Sequence, residues 1–361
     1  MVYIIWYTVY QTGILRYNNA HGKPLRLPGY EHPGLIGTSM RHLNSFLCVF
    51  ILAGTTAATV AADYPDKPIR MVVPWSPGGG SDVSGRIIAA KLTEALKQQV
   101  VVDNRPGAAG NIGTAITAKS VPDGYTILLA DTGFSTGISL YRDPGYHPVK
   151  DFAPVSLAAI TPIIAVVHPS VKATSVSELI ALAKAEPGKL NYGSGGTGGS
   201  VHLAGEMFLL RTGTKMIHVP YKGSGPAAVD LAGGVVQVMF ATAPAVMPLI
   251  KGNRIRPLGV ASNARSVFLP DVPTMKEAGV PDFIADNWYG VLVPTGTPKP
   301  VIERLQREIV KAVMQPDAKD RFLGAGLEAR PSKSPQEFGA FVENDVARWA
   351  TVIKQANIKM E

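Results

Sequence analysis

Two glycine-rich segments hold the same place in the chain's pattern, between a predicted β-strand and a predicted helix. The first, at 76–82, follows an apolar run at 69–74 and overlaps the start of an amphipathic run at 81–98. The second, at 193–200, leads into a helical run that starts at Ser200. Glycine lets a backbone approach a ligand closely, and the free N–H groups of a helix N terminus attract anions. The pattern therefore predicts two strand–loop–helix units that each present an anion-binding loop; the alternative for each is an ordinary turn with a capped helix.

Strand-like and helix-like runs alternate through most of the chain. The predicted strands lie at 69–74, 100–103, 125–130, 163–167, 190–192, 216–219, 235–240, 255–260 and 288–293. The predicted helices lie at 81–98, 111–120, 175–185, 200–211, 300–314, 317–323 and 335–354. Such alternation is typical of an α/β fold in which each sheet is mostly parallel and is flanked by helices.

These elements form two predicted lobes in series. The helices that follow residue 300 have no sheet of their own, so we expect them to pack back on the first unit. This assigns 63–162 and 287–361 to lobe 1, and 163–286 to lobe 2. The chain then crosses between the lobes near 160–163 and again near 285–288, and a double crossing is typical of a hinge.

The N-terminal region has the form of an export signal. Residues 40–62 combine a basic start, an apolar run at 46–53 and small residues up to Ala62, which is typical of a cleaved secretory signal peptide. The apolar run is shorter than the ~20 residues of a membrane-spanning helix. We therefore predict a periplasmic protein that begins after Ala61 or Ala62. Residues 1–39 show no clear periodicity, and we interpret them as an artefact of the assigned translation start.

Cysteine content and charge exclude several classes of protein. The single cysteine, Cys48, lies inside the predicted signal peptide, so the mature chain has no disulfide and no thiolate chemistry. The formal net charge is +8, but the basic residues are spread out with no basic stripe. A nucleic-acid partner is therefore not expected.

The motifs of enzymes and cofactor sites are also missing from the sequence. It contains neither a nucleophile elbow nor a phosphate-binding loop with its lysine. The second glycine loop matches a dinucleotide fingerprint at Gly193, Gly195 and Gly198, yet no acidic residue ends the next strand at 218–221 to hold a ribose. The histidines of the mature chain lack the spacing of metal ligands: His147, His168, His202 and His218. We predict no cofactor, no metal and no catalytic residue, with His202 interpreted as a packed or surface side chain.

A third candidate segment directly follows the predicted strand at 125–130. Open α/β sheets bind ligands at the carboxyl ends of their strands, which makes this segment either part of a ligand site or a plain loop. Its candidate residues are Asp131, Thr132, Phe134 and Ser135.

Short motifs spread over 63–361 together resemble one family of proteins. They lie at 64–69, 73–82, 104–113, 122–126, 150–152, 202–206, 218–223, 271–274 and 288–290. In combination they resemble the Bug-type periplasmic receptors of tripartite tricarboxylate transporters. The resemblance implies a two-lobed Venus flytrap fold, a small organic acid held between the lobes, and delivery of that acid to integral membrane permease subunits by a monomeric receptor.

The resemblance also assigns candidate ligand contacts, mainly backbone and hydroxyl groups of the two glycine loops. In lobe 1 these are Trp75, Ser76, Gly78, Gly79, Gly80, Ser81 and Asp82. In lobe 2 they are Ser194, Gly195, Gly196, Thr197, Gly198 and Ser200, and we add Ala241 and Trp288 near the ends of two later strands.

Three of these residues depart from what the family usually carries. Trp75, Phe134 and Ala241 make the expected pocket more apolar, so a monocarboxylate or an aromatic acid competes with a di- or tricarboxylate as the ligand. Two other functions remain open from the sequence: a sensing subunit for a membrane signalling protein, and a small-molecule enzyme built on the same lobes.

Overall fold

The computed structural model describes residues 64–355 and residue 358. The predicted signal peptide and translation start fall outside these residues and stay predictions. No helix within the described part is both long enough and apolar enough to cross a membrane.

The described residues form an α/β fold of strands and helices in alternation. The strands are β1 (Ile69–Val73), β2 (Val100–Asn104), β3 (Thr126–Asp131), β4 (Phe152–Val167), β5 (Asn191–Ser194), β6 (Ile217–Pro220), β7 (Val238–Thr242), β8 (Arg256–Val260), β9 (Asp286–Pro294) and β10 (Glu328–Ala329). The helices are α1 (Gly80–Leu96), α2 (Asn111–Ala118), α3 (Thr132–Leu140), α4 (Val176–Ala185), α5 (Ser200–Thr212), α6 (Ser224–Ala232), α7 (Ala243–Lys251), α8 (Lys299–Val313), α9 (Pro316–Gly324) and α10 (Pro335–Gln355).

The strands are joined in the order β2-β1-β3-β9-β4-β7-β5-β6, with β8 and β10 also pairing with β4. Strand β1 is parallel to β2 and β3, and β5 is parallel to β6 and β7. Strands β4 and β9 are antiparallel to each of their partners. The sheet is therefore mixed. The parallel strands are joined through helices, as the sequence predicts, whereas β4 and β9 introduce the antiparallel pairs.

The long strand β4 divides the sheet into two parts. Its residues 152–162 pair with β9, and its residues 163–167 pair with β7 and β8. The change of partner falls between Pro162 and Ile163, close to where β9 begins at Asp286. The two parts of the sheet therefore meet near residues 162–163 of β4 and the start of β9.

Each part of the sheet has its own apolar core. In the part that contains β1, side chains of α1 such as Leu92 pack with Leu305 and Ile309 of α8, so the C-terminal helices cover this part. In the part that contains β5, buried aromatic rings such as Phe208 and Phe240 form the core. The two parts are thus separately packed units.

One predicted loop is a helix. Residues 132–140 form α3 because the Asp131 side chain caps the helix by accepting a hydrogen bond from the Gly133 N–H at 2.9 Å. Aspartate is a favoured N-cap, but a short, small-residue segment of this kind has weak helical periodicity. The N terminus of α3 consequently lies at the carboxyl end of β3.

Candidate ligand-binding cleft

Three helix N termini meet at one small cavity between the two parts of the sheet. The N-terminal residues of α1, α5 and α6 all contribute to its wall. The lining residues are Trp75, Gly79, Gly80, Ser81, Asp131, Gly195, Gly199, Ser200, Val201, Ser224, Thr242, Asn287 and Tyr289. The cavity volume is about 20 Å³, close to the ~10–15 Å³ that one water molecule needs. A larger guest can enter only when the walls move apart.

The N-cap residues of these three helices leave the first-turn N–H groups free of side-chain caps. They are Gly79, Gly199 and Gly223, and none supplies a capping hydrogen bond. Of the other described helices, α3 and α4 are capped by Asp131 and Ser175, and α2, α7, α8 and α9 also lack a side-chain cap. The first N–H groups of a helix have no partner inside the helix, and the helix dipole adds a partial positive charge there. Three uncapped N termini around one cavity therefore form a strong site for an anion.

Three polar side-chain atoms in the cavity wall lack a hydrogen-bond partner among the described residues. They are Trp75 Nε1, Thr242 Oγ1 and Tyr289 Oη, and each is buried. Burial raises the pKa of Tyr289, although Asn287 and Thr242 act in the opposite direction, so its hydroxyl remains a neutral donor that lies near both residues without a hydrogen bond of normal geometry. Buried polar atoms are nearly always hydrogen bonded in native proteins. Three such atoms therefore place unused hydrogen-bonding groups around one cavity.

Hydrogen bonds to Asp82, which lies outside the cavity wall, hold the first glycine loop in place. The Asp82 carboxylate accepts hydrogen bonds at 3.0 Å from the Gly78 N–H, from Arg86 Nε and from Asn104 Nδ2. Burial raises the pKa of Asp82, but the hydrogen bonds from Arg86, Gly78 and Asn104 outweigh it, and the pKa is lowered overall. Asn104 also donates to the Trp75 carbonyl at 2.9 Å. Asp82 therefore positions the loop and does not line the cavity.

The second glycine loop is fixed by a serine and two histidines. Ser194 Oγ accepts from the Gly196 N–H at 3.1 Å and contacts His218 Nε2 at 2.7 Å. His202 Nδ1 accepts from the Gly198 N–H at 3.1 Å, and the two imidazole rings lie 4.2 Å apart. Burial lowers the pKa of both histidines to about 4, so both are neutral near pH 7. His202 is a packed residue that positions the loop.

Asp131 is the charged group of the cavity wall. One carboxylate oxygen accepts from Ser81 Oγ at 2.7 Å and the other from the Gly133 N–H at 2.9 Å. Burial raises the pKa of Asp131 to about 6, although Ser81, Gly133, Trp75 and Asn287 act in the opposite direction. The Trp75 indole nitrogen thus lies near this carboxylate without making a hydrogen bond of normal geometry.

Several contacts join the two parts of the sheet across the cleft. The Ser76 N–H donates to the Lys222 carbonyl at 3.2 Å. From α3 and the residue that follows it, Thr136 Oγ1 donates to Gly198 O at 2.8 Å, and Tyr141 Oη donates to Thr197 O at 3.0 Å. The glycine loops are therefore in a closed arrangement.

A small apolar cluster adds to these contacts. Leu203 of α5 packs among Leu140 of α3 and the α10 residues Trp349 and Ile353. Leu203 comes from the part of the chain that contains β5, whereas its three partners belong to the part that contains β1. The cluster therefore joins the two parts of the sheet.

The structure brings together many of the residues that the sequence singled out. Those that line the cavity are Trp75, Gly79, Gly80, Ser81, Asp131, Gly195 and Ser200. Ser76, Gly196 and Thr197 line an adjacent outer groove of about 780 Å³, together with Trp75, Tyr141 and Lys222. Gly78, Asp82, Ser194 and Gly198 lie in the loops but face away from the cavity as supports.

Other predicted contacts lie in the apolar core, and the prediction needs correction there. Phe134 stacks on Tyr146 and packs against Trp288, whose indole N–H donates to Asp345. Ala241 belongs to the core beneath α6 and α7. Thr132 and Ser135 are buried and do not line the cavity.

Most lining residues that the sequence missed lie one position from a predicted one. Side chains alternate along a strand, so Asn287 and Tyr289 face the cavity while Trp288 faces the core, and Thr242 lies in the wall while Ala241 does not. Alternation in β9 was the signal that could have located the first pair. Val201 directly follows the predicted Ser200, and Ser224 directly follows the 218–223 motif.

A two-lobed α/β fold, with uncapped helix N termini that face one another across a cleft, defines a solute-binding protein. Residues 85–358 match the family described as the tripartite tricarboxylate transporter family receptor. Protein BugT of Bordetella pertussis is 40% identical over 327 residues, which cover 90% of this chain and 100% of BugT. The chain belongs to this receptor family, as its motifs predicted.

Two solved structures have the same fold. The structure of R. palustris Rpa4515 with adipate has a TM-score of 0.80 and 37% identity, over 82% of this chain and 99% of the other. MatC from Rhodopseudomonas palustris with bound malate has a TM-score of 0.77 and 27% identity, over 80% of this chain and 100% of the other. Both similarities span the described fold, so the two-lobed architecture expected from the sequence is confirmed.

Proposed function

We propose that this protein is a periplasmic receptor that captures a small organic carboxylate in the cleft and delivers it to the permease subunits of a tripartite transporter. The observation that carries the proposal is the meeting of three uncapped helix N termini with three buried, unpartnered polar atoms. Family membership supports the receptor role. Export by a signal peptide at 40–62, with cleavage near Ala62, belongs to the same proposal.

Dicarboxylates are the first ligands to consider, because two similar structures contain adipate and malate. A hydrogen bond to a charged group contributes ~1.5–3 kcal/mol net, and association costs at least ~4 kcal/mol. Micromolar binding requires ~8 kcal/mol. About four to eight such bonds would suffice, and the three helix N termini with the unpartnered side chains can supply them.

Binding also requires the lobes to open and close. We assign 63–162 with 287–361 to lobe 1 and 163–286 to lobe 2, and the change of partner along β4 supports this boundary. A cavity of about 20 Å³ has no room for a dicarboxylate to enter. The ligand therefore enters an open cleft, and its contacts with both glycine loops then favour closure.

A receptor without catalytic activity agrees with the chemistry of the site. Ser194 contacts His218 in the manner of a nucleophile and its base, but Ser194 is completely buried behind its loop. Ser81 contacts Asp131 with no histidine between them. Among the described residues of the cavity wall, no serine contacts a histidine.

The test is calorimetric titration of the mature chain, 63–361, with a panel that includes adipate, malate, benzoate and adipamide. We expect a carboxylate to bind and the neutral diamide not to bind. Removing an unpartnered donor, in Thr242→Val or Tyr289→Phe, should weaken carboxylate binding by about 10- to 100-fold, as expected for loss of one charged hydrogen bond. Neither change should lower the melting temperature of the unliganded protein, because each removes a buried polar atom that has no partner.

Thr132→Val is the matched control. The Thr132 hydroxyl is also buried and unpartnered among the described residues, but it does not line the cavity. Its removal should leave the affinity unchanged. Equal effects of Thr132→Val and Thr242→Val, or binding of adipamide as tightly as adipate, would contradict the proposal.

A further inference from the structure

Asp131 has an unusual place for a carboxylate in a site that is built for anions. Among the described residues that line the cavity, it is the one acidic side chain, and no lysine, arginine or histidine accompanies it. Its side chain is buried. A carboxylate ligand in the closed cleft would therefore meet a second carboxylate, with only the partial charges of helix N termini between them.

The elements packed around Asp131 offer no full positive charge to balance this pair. On α1, Arg86 is paired with Asp82 behind the first loop. On α5, burial lowers the pKa of His202 to about 4, so it is neutral near pH 7. On α10, Arg348 is paired with Asp345. The remaining titratable neighbours are Tyr289 of β9, which pairs with Asp131 in register, and Tyr146 after α3, and burial raises the pKa of both.

The hydrogen bonds of Asp131 allow it to exist in either protonation state. Its two oxygens accept from Ser81 Oγ and from the Gly133 N–H, which leaves further lone pairs on each oxygen. The Ser81 hydroxyl can rotate to accept when the carboxyl carries a proton. The cap of α3 is retained, because the Gly133 N–H needs only the other oxygen.

We propose that the cleft takes up its carboxylate ligand together with one proton, and that this proton resides on Asp131 in the closed state. The inference rests on the proposed function, since it requires a carboxylate ligand in this cavity. Two carboxylates that share a closed site do not both stay ionised, and the pKa of one of them is strongly raised. The ligand lies on the N termini of three helices, whereas Asp131 lies on that of α3 alone, so the ligand keeps its charge and Asp131 takes the proton.

The pKa of Asp131 in the closed cleft is already close to neutral pH. Burial raises the pKa of Asp131 to about 6 in the closed cleft even without a ligand; an open cleft buries the carboxyl less, so it is ionised at pH 7.5 before binding. A further rise on binding then draws in close to one proton. Simple carboxylic acids are fully ionised in solution at this pH, so the proton comes from the solvent, and Asp131→Asn distinguishes Asp131 from the ligand as the group that holds it.

The test is calorimetric titration with adipate and with malate at pH 7.5, in two buffers of different ionisation enthalpy. We expect uptake of close to one proton per ligand, and an affinity that falls by about tenfold from pH 7 to pH 8 by linkage. In Asp131→Asn the proton uptake should vanish and the affinity should no longer depend on pH. Asparagine is an equally good helix cap and can accept the Gly133 hydrogen bond.

Asp345→Asn is the matched control. Asp345 is also a buried carboxylate, and burial raises its pKa, but it contacts Trp288 and lies away from the cavity. This variant should keep the proton uptake, and absence of uptake in the wild type would overturn the inference even if Asp131→Asn fails to fold. Binding without proton uptake, or proton uptake that persists in Asp131→Asn, would overturn the inference alone. No binding of adipate, malate or benzoate at pH 7 and pH 8 would overturn the proposed function and this inference with it.

Discussion

The substitution Leu203→Ala should weaken ligand binding without weakening either lobe. Leu203 is only 1% exposed, and its partners Leu140, Trp349 and Ile353 all lie in the opposite lobe. Opening the cleft must expose this side chain to water. The stability of lobe 2 by itself does not depend on these contacts, because the contacting residues lie in lobe 1. The substitution therefore destabilises the closed state relative to the open state.

The magnitude follows from the burial of one leucine side chain. Full burial of such a side chain contributes ~1.5–3 kcal/mol, and ~1.4 kcal/mol corresponds to a factor of ten in an equilibrium constant. We expect the dissociation constant of a bound dicarboxylate to rise by about 10- to 100-fold when the unliganded receptor is mostly open. The measurement is calorimetric titration, combined with thermal unfolding of the unliganded protein.

Leu210 provides the control on the same helix. It is 63% exposed, so Leu210→Ala should change the affinity by less than about twofold, as surface substitutions usually do. The reasoning would be refuted by an unchanged affinity in Leu203→Ala. It would also be refuted if the unliganded variant lost the ~2–5 kcal/mol of stability that a leucine in a permanent core contributes.

Two further predictions concern the loop of lobe 2. Gly199→Ala should weaken binding while lobe 2 still folds. The φ of −72° suits alanine, but the new methyl carbon would lie 3.2 Å from the Trp75 ring across the cleft. Calorimetric titration should show weaker binding in this variant and unchanged binding in Gly324→Ala, whose added carbon meets nothing within 4 Å. The free energy of unfolding should fall as the pH drops from about 6.5 towards about 4, because His202 and His218 have folded-state pKa values of about 4 and protonate first in the unfolded chain. Urea unfolding at pH 7 and pH 5 measures this, and equal stabilities at the two values would contradict it.

The glycine loops were predictable from the sequence because their signal is local. A strand, three consecutive glycines and a helix with polar first residues lie within a few positions of one another, and Gly79, Gly80 and Ser81 do line the cavity. The same holds for Gly195 and Ser200. Neighbouring residues in the sequence determine the conformation of each loop and the position of the helix N terminus that follows it.

The opposite wall was missed because its position depends on the register of distant strands. Tyr289 faces the cavity only because β9 lies between β3 and β4, with Asp131 opposite Tyr289. A shift of one residue would have brought Trp288 to the site, as the sequence-based prediction supposed. Alternation along β9 places Asn287 and Tyr289 on one face, but pairing between segments more than a hundred residues apart decides which face meets the cavity.

The crystal structure of the mature chain, 63–361, with its tightest-binding carboxylate tests the central claim most directly. We predict a carboxylate group within hydrogen-bonding distance of the first N–H groups of α1 and α5, with Tyr289 Oη or Trp75 Nε1 as a further donor. The account would be contradicted if the acid lay instead in the separate groove lined by residues 160–162 and 261–268, and no carboxylate contacted these helix N termini.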